Sequence, residues 1–222
     1  MKTVRFLFND DMARAIVQGR KDVTRRPMTV QPLDLRGPPH PGESDAPYMW
    51  CDGLDGVRWK PLYGPCAPGD ILIGRECWCP RSGGSLIIDK LRTSQFYRAT
   101  DGVGDMKKPS AWPWRPSIHM PDWAARIRRR VVSVTAERVQ DITEEDAVRE
   151  GIRRWTKDGS VYKYGHIEPG DIGCTPWVDM ARTGRDAFAR LWDSIYTAKG
   201  LGWDVNPWVW RIEFASENEP AA

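Results

Sequence analysis

Arg126, Arg128, Arg129 and Arg130 fall within five residues, and Arg25 and Arg26 are adjacent. Guanidinium groups so concentrated can meet phosphates, and a solvated strand face is the alternative. The formal net charge is only +3, so any such attraction is local rather than global. Twelve tryptophans either fill a core between irregular loops or line a cleft. Trp114 and His119 lie in the densest aromatic stretch and are candidates for contact with a base. Cys77-x-Cys79 with His119 or His166 is the nearest approach to a metal site. Structural zinc sites space their cysteines more widely and add a second matched pair, which the sequence lacks, so no metal is expected. No glycine-rich phosphate loop is present, and no motif implies an organic cofactor.

These groups must be held by elements that the hydropathy pattern outlines. Thr3 to Phe8 alternate as a strand, with Val4, Phe6 and Phe8 on one face. Asn9 or Asp10 offers an N-cap for a helix over 11–18, and Gly19 ends it. Lys21 to Arg26 reads as a second strand stopped by Pro27. From 28 to 68 the chain is aperiodic and, with Pro27, holds half of the 18 prolines; it reads as a long surface insertion without a core. Pro68-Gly69-Asp70 turns into a strand over 71–78, and a further strand covers 95–99.

A proline- and tryptophan-rich loop over 112–123 precedes a long strand, 126–139, where consecutive Val131 and Val132 mark a bulge. Thr143 caps a helix reaching Glu150. A second aperiodic insertion, 153–183, leads to an amphipathic helix over 184–197, and the strand 207–214 follows. The fold class expected is α+β: a mixed barrel with short flanking helices and two long loop insertions, one domain over 1–216, and a disordered tail at 217–222. No apolar run approaches the roughly 20 residues of a membrane span, and residues 1–9 do not read as a signal peptide. A cytoplasmic protein with reduced thiols and no membrane partner is expected.

Gly19-Arg20-Lys21-Asp22-Val23-Thr24-Arg25-Arg26 resembles the G-x-K-x-x-x-x-R signature of the ASCH family, with Gly19, Lys21 and Arg26 at its fixed positions. Pro68 to Leu72, Asp141 to Ala147 and the strand Trp208 to Phe214 resemble later segments of the same family, in the same order. Arg115 to Pro121 and Asn206 to Trp210 are similar to a long-form group from bacteriophages and prophages, often labelled morphogenetic proteins. The resemblance implies a PUA-like barrel.

Some small ASCH proteins are N(4)-acetylcytidine amidohydrolases with a Lys, Thr and Glu trio. Lys21, Thr24 and Glu150 stand at the matching places here, so the resemblance implies an amide hydrolase acting on an acylated nucleoside. Amide hydrolysis needs a nucleophile, a base and donors for the oxyanion. Thr24 offers the hydroxyl. Lys21 can act as base if burial or a neighbouring cation such as Arg26 lowers its pKa, and Glu150 can orient Lys21 or pass a proton to the leaving amine. Residues three apart on a strand point to opposite faces, so a turn or bulge must bring Lys21 and Thr24 together. Two alternatives remain: an RNA-binding module or ribonuclease in which Gly19, Arg26, Arg126, Arg128, Arg130, Trp114 and His119 meet phosphates and bases, and a phage assembly factor.

Overall fold

The structure, a computed structural model, describes residues 1–37, 46–51, 59–80, 95–101, 113–167 and 176–216. It is a mixed α+β fold in which strands outnumber short helices. In chain order the first elements are β1 (Thr3–Leu7), α1 (Asp10–Val17), β2 (Val23–Pro27), β3 (Asp34–Arg36), β4 (Tyr48–Cys51) and β5 (Lys60–Leu62). There follow β6 (Ile71–Arg75), β7 (Trp78–Pro80), β8 (Gln95–Tyr97), α2 (Arg98–Asp101) and the long β9 (Ile127–Arg138). The last are α3 (Glu144–Arg149), β10 (Arg153–Thr156), β11 (Tyr162–Gly165), α4 (Gly184–Tyr196) and β12 (Trp208–Ser216).

The main sheet has the order β1-β6-β9-β12-β2. Only its β1–β6 pair is parallel; β6–β9, β9–β12 and β12–β2 are antiparallel. Alternation along β6 splits the apolar side chains between two faces. Leu72 joins Val4, Phe8, Ile16, Ile127, Val131 and Ile212 in the core beneath α1, while Ile71 and Ile73 pack on the other face with Trp78, Met120 and Ala124. A third cluster lies under α4, where Phe188, Leu191 and Trp192 meet Val139, Ile142, Ile152 and Val209.

The bulge falls where the paired valines place it. The β9–β12 register shifts between Glu213 and Phe214, which face Ser133 and Val131, leaving Val132 as the extra residue. The two stretches that read as aperiodic hold regular structure. The first carries a three-stranded antiparallel sheet, β3-β4-β5, and the second the hairpin β10–β11. Leu35, Tyr48 and Leu62 of that small sheet pack on the main core, so the segment contributes to the interior. Strands of three or four residues are too short to show a hydrophobic period, which is why the pattern conceals them. The expected strand over 71–78 is broken at Glu76 and Cys77, and residues 217–222 lie outside the described residues.

Cys51, Cys66, Cys77 and Cys79 are buried free thiols. Burial, with Asp70 nearby, pushes the Cys66 thiol up to about 11. Cys174 lies outside the described residues.

β6 and β9 approach closely at Gly74. A Cβ there would stand 2.6 Å from Ile127 Cγ2 and 3.1 Å from Phe8 Cδ2. Gly74→Ala is expected to destabilise the protein by about 1–3 kcal/mol, the usual cost of overpacking, measured as a lower denaturation midpoint at unchanged slope.

Candidate active site around Lys21, Thr24 and Glu150

Two helix ends build this site. α1 finishes with Gly19 at φ 70°, its N–H donating to Ile16 O while Arg20 N–H donates to Ala15 O. α3 finishes in the same way, with Gly151 at φ 102°, Gly151 N–H on Val148 O and Ile152 N–H on Ala147 O. Both are Schellman turns, which need a residue that tolerates the left-handed region. Lys21 follows the first turn and Glu150 precedes the second. Asp22 ties them to neighbours: its N–H donates to Arg149 O, and its carbonyl accepts from Phe214 N–H of β12.

Lys21 therefore lies before β2 rather than inside it, and the expected strand over 21–26 starts at Val23. Its stem runs across Gly151, where a Cβ would meet Ala15 Cβ at 3.1 Å and Lys21 Cβ at 3.7 Å. The ammonium is fully covered. It donates to Val23 O at 2.7 Å, to Glu150 O at 3.0 Å and to Glu150 Oε2. Glu150 O is one of the carbonyls left open at the end of α3, a site that favours a cation. Burial lowers the Lys21 pKa below the ordinary lysine range; Glu150 opposes the shift, and the Arg26 and Arg25 charges add to it.

The other Glu150 oxygen accepts from Arg25 Nη1 at 3.3 Å. The Arg25 side chain has no exposed surface, and three carboxylates surround it: Glu150, Glu137 at 2.6 Å and Asp146 at 2.5 Å. Asp146 also binds Arg211 at 3.0 Å, and Glu213 joins Arg211 at 2.7 Å to Arg149 at 2.8 Å. Burial works to raise the Asp146 pKa, but hydrogen bonds from Arg211 and Arg25 outweigh it and hold the carboxyl low. At Glu137 the balance reverses, and burial raises its pKa despite Arg25.

Thr24 is buried and borders a cavity of about 20 Å³ with Glu150, Arg25, Arg26 and Met12, closed by Leu191, Ile195 and Tyr196 of α4. That is room for about one water and far below the roughly 300 Å³ of an ordinary ligand pocket. Among the described residues the Thr24 hydroxyl makes no hydrogen bond. The structure thus joins Lys21 to Glu150 directly and brings Thr24 to the same cavity as Glu150, without a bond between Thr24 and Lys21.

The other candidates are dispersed. Gly19 shapes the turn. Arg26 reaches from β2 to Leu7 O of β1 at 2.8 Å and covers the Phe6 and Phe8 rings. Arg126 is engaged by Glu76, a fully buried carboxylate, through bonds of 2.8 and 2.9 Å, and lies over the Tyr97 ring. Arg128 and Arg130 project from the face of β9 opposite α1. Trp114 is half-buried, and His119 is exposed at the end of a 3-10 turn, Ser117–His119. Among the described residues no group of three or more His, Cys, Asp or Glu could hold a metal.

Sequence reasoning passed over Gly151, Glu137, Asp146 and Arg211 and treated Arg25 only as part of a basic pair. Gly151 carried a signal as the glycine just past a capped helix. The rest carried none, because β2 is buried on both faces and the register Arg211 opposite Arg25 is a tertiary fact. No family model, curated protein or solved structure matches the chain.

Glu150→Gln would leave a buried ammonium without its carboxylate. It is expected to cost about 3–5 kcal/mol in chemical denaturation, and Lys21→Met less, because Glu150 keeps Arg25. By NMR the Lys21 Cε titration should fall below that of exposed lysines. Because a folded pKa below the unfolded value means the unfolded chain binds more protons, the Lys21 contribution to stability should rise with pH through that interval.

Proposed function

We propose that this chain is an ASCH-type hydrolase on a PUA-like barrel, cleaving the amide of an N(4)-acylated cytidine-type substrate. The observation that carries the proposal is the buried Lys21 ammonium, lowered in pKa and bound to Glu150, whose side chain lines the same cavity as Thr24. Support for the barrel comes from Arg26, which bridges the two edge strands of the sheet, β2 and β1.

In this mechanism the Thr24 proton passes through one water in the cavity to the Glu150 carboxylate, which lines it, and from there to the neutral Lys21 amine. The Thr24 oxygen adds to the acyl carbonyl, and the cytosine amine leaves with the proton returned from Lys21. Water then cleaves the acyl-threonine ester, releasing the acid and regenerating the hydroxyl. Glu150 keeps the Lys21 amine in place. A nucleobase needs more room than this cavity has, so the reading requires Ile195 and Tyr196, which close it, to move when substrate binds.

A second proposal, RNA binding, is favoured by one arrangement. Arg5, Ile73 and Arg128 form a row across β1, β6 and β9, and Arg130 stands in the next row beside Ile71. Arg5 and Arg75 both bind Asp122, next to the exposed Trp123, and guanidinium groups near an exposed ring are suited to phosphates and a stacked base.

Acetyl release from N(4)-acetylcytidine separates the two. Turnover by the wild type should fall about 10²–10⁴-fold in Lys21→Met and Thr24→Val, and its rate should rise with pH through the lowered Lys21 midpoint. A folded wild type without turnover overturns the hydrolase, and salt-dependent RNA binding lost in Arg130→Gln then supports the second proposal.

A further inference from the structure

The strand β11, the segment 178–182 and the N-terminal half of α4 border an open groove of about 760 Å³. Lys163 of β11 lines it and is only 8% exposed. Its ammonium donates to Met180 O at 3.1 Å and, weakly, to Val178 O at 3.5 Å. Both acceptors are neutral backbone carbonyls. An ammonium carries three donors, so one N–H of a cation more than nine-tenths buried has no acceptor among the described residues. No carboxylate lies within ion-pair distance of it there. Lys21, the other buried lysine among the described residues, is by contrast bound to Glu150.

Two further cations line the groove. Arg190 of α4 donates to the Asp179 carbonyl, and Arg182 is exposed at the segment leading into α4. Neither forms an ion pair among the described residues. Asp179 and Asp186 also border the groove, yet neither carboxylate has moved onto any of these cations. A buried charge without a counter-ion is costly, and a charge-assisted bond to an oxyanion relieves that cost.

From this we infer that the groove is a binding site for a phosphate group, free or carried by a small ester, with Lys163 as its deep anchor and Arg182 and Arg190 as its rim. The site is separate from the Lys21 cavity. Phe188, Leu191, Ile195 and Tyr196 of α4 face that cavity, whereas Asp186, Ala189 and Arg190 face the groove. A tetrahedral dianion meets one ammonium and two planar guanidinium forks there, and the groove has volume to spare for an ester's organic part.

The test is calorimetric titration of the full chain with inorganic phosphate at low ionic strength, beside a phosphate monoester such as glycerol phosphate. Saturable binding is expected, weakened at least about tenfold in Lys163→Met, the loss of one charge-assisted bond. Tighter binding of the ester identifies a phosphate carried by an organic group; equal or weaker binding identifies free phosphate. Should Lys163→Met fail to fold, the double variant Arg182→Gln with Arg190→Gln, both exposed, carries the same expectation of weakened binding. Absence of saturable binding to the wild type overturns the inference. So does wild-type affinity in a folded Lys163→Met, or in the double variant.

Discussion

The contact between Lys21 and Glu150 sets the terms for much of this structure. Two opposite charges have been taken out of water at the point where α1 hands over to β2 and α3 hands over to β10. Desolvating such a pair is expensive, and its mutual attraction compensates only when the remaining lone pairs and donors are satisfied. Here they are: Lys21 has three acceptors, and the second oxygen of Glu150 is taken by Arg25. Arg25 in turn draws in Glu137 from β9 and Asp146 from α3. Charge has replaced hydrocarbon as the material that joins two helix ends to the strands beside them.

That choice has geometric requirements, and the glycines meet them. Each helix must stop abruptly so that its terminal residue can turn inward, and each does so through a glycine with positive φ. Gly151 has a second duty, since the Lys21 stem crosses it where a side chain would intrude. Arg211 and Glu213 of β12 extend the network to Arg149, so the long central strands are fastened to α3 by ions along one side and by Ile152, Val209 and Phe188 along another.

Much of the frame was legible in the sequence because it depends on local chemistry. The N-caps Asn9 and Thr143, the terminating Gly19, the bulge at Val132 and the apolar stripe of α4 follow from short-range rules, and the structure has all of them. The small sheet β3-β4-β5 was hidden because its strands are shorter than any periodic window. At the site, Lys21, Thr24 and Glu150 were singled out by the resemblance to the ASCH trio, and the cavity gathers Thr24 and Glu150. The guanidinium and carboxylate groups that complete the network were not legible. An arginine buried among three carboxylates looks, in sequence, like any surface arginine, and only strand register reveals it.

The buried thiols give the molecule a built-in set of clocks. Cys51 belongs to the small three-stranded sheet, Cys66 to the core beneath α1 and Cys79 to β7 on the far side of the main sheet. A thiol shielded from solvent is slow toward alkylating reagents until its surroundings open. The rate at which each cysteine is labelled therefore reads the opening of a different region, so the order in which the fold comes apart is written in the native side chains and needs no introduced probe.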